Sequence, residues 1–376
     1  MPTALGGIRI LDFSRVLAGP YATMMLADFG ADVLKIERPE IGDETRAWGP
    51  PFDRDGTTTY FNSVNRNKAS VEADLQNDDE IEMLLELVRT SDVVVENFRA
   101  GTMDRLGLGY ERLSELNPRL IYCSITGFGS ADGAALAGFD LLVQAVGGLM
   151  SVTGTQAGDP TKTGVAVVDV ITGLHAVTGI LTALIARGTT GCGQRVEVNL
   201  MSSLLSALVN QASGYLGAGV VPGIMGNRHP SIAPYEAFNT SDRPLVVAVG
   251  TDRQFRAFCG GLGMPELGSD PRFTTNERRV KNREPLGALI TERLIGENAD
   301  HWFQVMVEHD VPAGPINSIA EAFEFATRLG LAPTVEIAGQ VQVANPITLS
   351  ATPAAYVTPP PHLGSTSLSL LKTEGQ

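Results

Sequence analysis

The sequence predicts an α/β fold, a parallel sheet with helices on both faces, and three observations carry that expectation. Short apolar runs alternate with helix-length segments through the first half of the chain. Several of these runs are nearly continuous in Val, Ile and Leu, the composition of strands buried on both faces. At 218–234 the pattern breaks into Gly, Pro, Asn and His, as at a domain boundary or a loop over a site. A length of 376 residues suits two domains, or one large domain with an insertion.

Taken in order, strands are expected at 8–13, 32–37, 93–98 and 119–125. Each has the β-branched or apolar run that a buried strand needs. Helices are expected at about 19–29, 78–90, 109–116 and 140–151. The stretch 195–217 reads as a strand, Arg195 to Asn199, followed by a long helix. A second unit then shows a strand at 245–250 and helices near 252–262, 284–294 and 299–309. From 311 the chain is expected to be extended and Pro-rich, with short strands within 333–343. Ligands of parallel sheets bind beyond the carboxyl ends of the strands, which places the turns 14–20, 38–42 and 99–101 near any site.

Composition narrows the function. A net charge of -14 argues against a general nucleic-acid binder, which needs a basic face. A phosphorylated small ligand is compatible, because a few local cations suffice. Cys123, Cys192 and Cys259 are odd in number and far apart, so a reducing, cytoplasmic setting is expected. The histidines His175, His229, His301, His309 and His362 have no metal-ligand spacing, and no metal is expected. Residues 164–186 are apolar enough to raise the question of a membrane span. Asp169 and His175 inside the stretch favour a buried helix instead, and no membrane partner is expected.

Asp169 is the most informative residue. It lies between the apolar run Gly164–Val168 and a long stretch of small and apolar residues ending near Ala186. That reads as a strand or turn handing over to a helix, with Asp169 at or just before its N-terminus. Two uses of the carboxylate stand: a helix cap, favoured by the macrodipole and free N–H groups, or chemistry. Thr172 occupies the position where a capping box would place Glu or Gln.

A dinucleotide fingerprint is absent: Gly107-Leu-Gly109 lacks a third glycine, and the glycines at 127–133 have the wrong spacing. Neither a P-loop nor a GxSxG elbow is present. An ordered set of segments nevertheless spans nearly the whole chain. It comprises Gly7–Phe13 with Leu17–Pro20, Gly30–Pro39, Gly42–Pro50, Asn65–Lys68, Val95–Phe98, Asp104–Gly107, Thr126–Gly129, Gly138–Gln144, Asp169 and Val311–Asn317. Together these resemble the class III (CaiB/BaiF-type) CoA-transferases. The segments 42–51 and 231–238 look most like the subgroup that uses succinyl-CoA and dicarboxylates such as glutarate.

The resemblance implies the rest of the reading. The fold would be a Rossmann-like large domain with a smaller α/β domain: 1–217 the large CoA-binding domain, 218–320 the small domain with linkers, and 321–376 a return to the large one. The protein would be an interlocked homodimer. Asp169 would be the nucleophile, attacking an acyl-CoA and passing through an aspartyl-acyl anhydride and an aspartyl-CoA thioester to a carboxylic acid. Such intermediates need water kept out. Coenzyme A would be held by Val16, Ala18, Arg38, Asn97, Phe98 and Arg105. Without the resemblance, Arg38 and Arg105 would read as solvated surface cations. Arg46, Trp48, Asp140 and His229 would face the acid, Arg46 taking its distal carboxylate. The alternatives are a surface ion pair for Arg46, a packing role for Trp48 and an ordinary loop histidine for His229. The sequence departs from the family pattern at Ala73, Gln76 and Ala137, and it has no glycine run near Gly226–Ser231.

Two other functions fit the same groove. An α-methylacyl-CoA racemase needs an acid/base pair across the substrate. Racemases of this type place a histidine in the segment matching Gly138–Asp140, and this chain has Phe139 there. His175, six residues along a helix from Asp169, does not share its face. A non-catalytic CoA-thioester binder is the remaining alternative, and the intact Asp169 argues against it.

Overall fold

A computed structural model describes residues 3–368. The chain forms two compact units. One takes the chain up to Leu149, then Lys162–Val221 and the part from Ala332 onward; the other takes Met150–Thr161 and Pro222–Leu331.

The first unit is built in chain order from β1 (Arg9–Asp12), α1 (Ala18–Asp28), β2 (Asp32–Glu37), β3 (Lys68–Glu72), α2 (Asp78–Arg89), β4 (Val93–Glu96), α3 (Tyr110–Leu116), β5 (Ile121–Thr126), α4 (Asp140–Val146), α5 (Val167–Thr190), β6 (Arg195–Asn199), α6 (Leu200–Ala207) and α7 (Val209–Ala218). Six strands form one sheet in the order β3-β2-β1-β4-β5-β6. All of its pairings are parallel, with Ile10 opposite both Val33 and Val93. This is the doubly wound order, whose direction of winding reverses between β1 and β4.

Strand periodicity divides the core in two. Ile10, Val33, Val93, Val95, Cys123 and Ile125 point to one face and pack with Ala22, Leu26, Ala176, Ile180 and Ala183 of α1 and α5. Leu11, Ile36, Val94 and Tyr122 point to the other and meet Ile81, Leu84, Leu85 and Val88 of α2. Each fully buried aliphatic side chain contributes about 1.5–3 kcal/mol. Helix α2 begins at Asn77, whose side chain accepts from the Asp79 amide, and carries three acidic residues in its first turn, the charge the N-terminal dipole favours.

Strand β3 was not expected from sequence. Lys68-Ala-Ser-Val-Glu72 carries polar residues where a buried strand normally has apolar ones, yet Lys68 and Ser70 are buried. Their polar atoms are satisfied, Lys68 on Asp12 and Ser70 on Glu37. The helix expected over 140–151 ends at Val146, and Leu149–Ser151 forms a separate 3₁₀ turn.

Helix α5 is long and apolar enough to cross a membrane by length and composition alone. It buries one stripe, Val168, Thr172, Gly173, Ala176, Ile180, Ala183 and Arg187, and packs along α1. The helix expected to be buried buries that one stripe, while Leu174 and Ile185 on its other side are exposed, Ile185 by 75%.

In the second unit, β7 (Tyr235–Phe238), β8 (Leu245–Ala248) and β9 (Ala313–Pro315) form an antiparallel sheet. Helices α8 (Asp252–Gly261), α9 (Asn276–Lys281), α10 (Arg283–Leu294) and α11 (Ala299–Glu308) fall between β8 and β9. Its core gathers Phe238, Phe255, Phe258, Phe273, Trp302 and Met306. The chain beyond 311 is not simply extended, because Ile319–Arg328 forms a helix, α12. Ser318 and Glu321 make a reciprocal capping box that starts it. Back in the first unit, β10 (Thr334–Ile337) and β11 (Gln340–Val343) pair as an antiparallel hairpin.

Candidate active site

The order of the sheet fixes where a cleft must open. The loops leaving β1 and β4 run to opposite faces, so a crevice forms beyond their carboxyl ends. A cavity of about 320 Å³ lies there, lined among others by Arg15–Ala18, Trp48, Asn97–Ala100, Thr126–Gly129, Phe139 and Asp169. Two of its loops touch backbone to backbone: a Cβ on Gly127 would stand 2.4 Å from the Gly138 Cα.

The two crevice loops are tied together. The Asn97 side chain accepts from the Arg15 amide (2.9 Å), and its Nδ2 donates to the Arg15 carbonyl (2.7 Å). Next in the chain, Val16 has φ +70°. A β-branched residue is strained there, and the surroundings must hold it. Its amide donates to both oxygens of Asp43, at 3.2 and 3.3 Å. Asp43 is buried and also takes the Lys35 ammonium at 3.0 Å, while Lys35 Nζ donates to the Ser14 carbonyl at 2.8 Å. Burial would raise the Asp43 carboxyl, but Lys35 and the Thr45 hydrogen bonds outweigh it and bring it down to about 2. A second buried pair, Lys68 with Asp12, lies beside the first.

Asp169 is the third residue of α5, but it does not cap the helix. Asp140 does: its Oδ1 accepts from the amides of Val168 (2.8 Å) and Asp169 (3.2 Å). Gln144 holds the other Asp140 oxygen through its Nε2 and takes the Thr163 amide on its own carbonyl. Among the described residues the Asp169 carboxylate accepts no hydrogen bond. Burial, with the Asp140 charge added to it, pushes the Asp169 carboxyl up to about 7. Tyr60 stands in the same field. Burial and the Asp169 charge push its phenol up to about 12, and its ring meets Trp48 edge to face at 5.5 Å.

The structure thus brings together Val16, Ala18, Trp48, Asn97, Phe98 and Asp169 of the residues expected from sequence, with Asp140 one hydrogen bond away. Arg46 is placed otherwise. It forks on Glu37 at 2.7 and 2.8 Å, donates to the Pro361 carbonyl and stacks on Phe61 at 3.7 Å, so it does not line the cleft. Arg38 and Arg105 are exposed and do not line it either. His229 belongs to the second unit, where its Nδ1 accepts from the Ser231 amide and its ring packs near Tyr235. Sequence reasoning missed Arg15, Glu44, Asp43 and Tyr60. Arg15 sat inside the recognised segment 14–20, but nothing in the sequence shows that Asn97 would grip it.

Fold and site define a doubly wound α/β enzyme that keeps a half-buried, unpaired carboxylate at a helix N-terminus in the crevice of its sheet. The model of CoA-transferase family III matches residues 5–367. The chain is 43% identical over 378 residues to a succinate–glutarate CoA-transferase of Agrobacterium fabrum, covering 98% of this chain and 94% of that one. It is 41% identical over 375 residues to the human succinyl-CoA:glutarate CoA-transferase, covering 98% and 85%. A solved CaiB/BaiF family protein from Brucella suis superposes with a TM-score of 0.90 at 41% identity, covering all of both chains. The chain belongs to CoA-transferase family III.

Proposed function

We propose that this enzyme moves CoA from succinyl-CoA to a second dicarboxylic acid, with Asp169 as the covalent nucleophile. The observation that carries the mechanism is the lone carboxylate in the cleft: half-buried, free of hydrogen bonds among the described residues and raised to about 7. A carboxylate of that basicity is a better nucleophile than an ordinary aspartate and is about half ionised at neutral pH. The dicarboxylate donor and acceptor are supported by the relatives' names.

Asp169 attacks the thioester carbonyl, the C–S bond breaks and CoA leaves as thiolate, giving an aspartyl-succinyl anhydride. The thiolate then attacks the aspartyl carbonyl, and succinate leaves with the anhydride C–O electrons. The resulting aspartyl-CoA thioester meets the acceptor carboxylate, and the two steps run in reverse. No proton is gained or lost in the sum. Apolar wall residues such as Val16, Phe98, Phe128 and Phe139 limit water, which would hydrolyse either intermediate. Val16, Ala18, Asn97 and Phe98 line the channel for CoA, and the exposed Arg38 and Arg105 meet its phosphates. No histidine lines the cleft among the described residues, which favours CoA transfer over a racemisation that pairs Asp169 with a histidine base.

The working unit in this reading is a homodimer. Ile185, Val209, Leu216 and Val221 expose 75%, 69%, 81% and 78% of their surface around α5 and α7, an apolar area that a second copy would cover. An ATP-free incubation of succinyl-CoA with glutarate tests the reaction, read by mass spectrometry for glutaryl-CoA with Asp169→Ala alongside. A product formed equally by the variant would overturn the assignment of Asp169.

A further inference from the structure

We propose that Arg15 is the receptor for the distal carboxylate of the acid, with Glu44 as its built-in competitor. The inference rests on the reading of this site as a CoA-transferase for dicarboxylates. A dicarboxylate whose near end reacts at Asp169 needs a cation in the same cavity for its far end. Among the described residues Arg15 and Arg99 are the two cations in the cleft wall.

Three features single out Arg15. Its backbone is gripped at both N–H and C=O by Asn97, across the point where the sheet reverses. The strained Val16 that follows is held by Asp43, so the backbone from which the Arg15 side chain springs is anchored on both sides. Its guanidinium lies 4.7 Å over the Phe98 ring, which keeps the planar fork facing the cavity. Arg99 is exposed and has no comparable restraint.

The Arg15–Glu44 pair is incomplete. Only Nη1 reaches Glu44, at 2.5 Å, although a guanidinium and a carboxylate can make two parallel bonds. Arg15 Nε and Glu44 Oε2 are both buried and have no partner among the described residues. Both side chains keep access to the cleft, at 38% and 35% exposure. A half-engaged arginine beside a movable carboxylate can be captured by a second carboxylate. A substrate carboxylate therefore competes with Glu44 for the same donors.

This competition gives the two residues opposite signatures. Arg15→Gln is expected to raise KM for glutarate about tenfold to a hundredfold, the range for losing a charged hydrogen bond. Arg15→Lys keeps the charge without the fork and should fall between the two. Glu44→Gln removes the competitor and is expected to lower KM for glutarate several-fold. Binding of free CoA, titrated calorimetrically on the same proteins, should stay within error of wild type. If Arg15→Gln and Glu44→Gln both raise KM, the pair is only structural and the proposal fails. If Arg15→Gln weakens free CoA as much as glutarate, Arg15 reads a CoA phosphate and the proposal fails. A wild type that transfers CoA to no acid would overturn the underlying reading, an outcome distinct from both.

Discussion

Replacing Asp169 by Asn should stabilise the protein, and only at the higher end of the pH range. The side chain keeps its shape and loses its charge. In the folded chain burial and Asp140 hold the Asp169 carboxyl at about 7, against an ordinary 3.8. Below 3.8 the carboxyl is protonated in the folded and unfolded chain alike, and its charge costs nothing. Between 3.8 and about 7 the unfolded chain has released the proton and the folded chain has not, so stability falls as pH rises. Above about 7 both are ionised and the penalty is complete. At about 1.36 kcal/mol per pH unit the penalty reaches about 4 kcal/mol. Urea denaturation of both proteins from pH 4 to pH 8 would show curves that nearly coincide at the acid end. They should separate by up to about 4 kcal/mol at the alkaline end, with Asp169→Asn the more stable. A gap that does not change with pH, or one that favours the wild type as pH rises, would refute the argument that the Asp169 charge is desolvated without compensation.

Further expectations follow from neighbouring residues. Asp140→Asn keeps an oxygen to cap α5 and removes the like charge, so the acidic limb of kcat/KM should move down by about one pH unit; an unmoved limb would show that Asp140 is not felt at Asp169. Arg46→Met takes from Glu37, whose side chain is 1% exposed, its paired cation and leaves it only the Ser70 hydroxyl and the Asp43 amide, and should cost about 3 kcal/mol in denaturation. It should leave the preference for dicarboxylates over monocarboxylates unchanged in a competition assay, because Arg46 does not line the cleft. Val16→Gly removes a strain of about 1–3 kcal/mol and should raise the unfolding midpoint, yet raise KM for the acid by loosening Arg15.

Much of the scaffold was legible because its strands are buried on both faces. Val93, Val94 and Val95 can be read as such a strand without knowing what lies beside them. Strand β3 was not legible, since Lys68 and Ser70 look exposed until Asp12 and Glu37 are known to wait for them. Helix α12 could have been found: Ser318-Ile-Ala-Glu321 is a capping box in plain sequence, overlooked beside the prolines around it. In the site, Asp169 was legible from its run of apolar neighbours. The arginines were not, because their roles depend on long-range partners. Arg15 and Asn97 lie 82 residues apart and meet only because β1 pairs with β4. Arg46 finds Glu37 nine residues back, at the end of β2, and is thereby withdrawn from the cleft.

The buried ions beneath the cleft have a common logic. Lys68 pairs with Asp12, Lys35 with Asp43 and Arg46 with Glu37, three cations against three anions around the ends of β1, β2 and β3. Burial, with Lys35 adding to it, brings the Lys68 ammonium down to about 8, which leaves it mostly charged at neutral pH. The cluster is therefore close to neutral. Fixed ion pairs are poor sources of net stability, but they hold geometry well when every partner is present. This cluster holds the Val16 backbone through Asp43 and the 42–48 loop through Arg46. A cluster with excess positive charge would have drawn the Asp169 carboxyl down and made it less basic. A balanced one anchors the loops and leaves burial and Asp140 to set the basicity of Asp169, and those are the two influences seen on it.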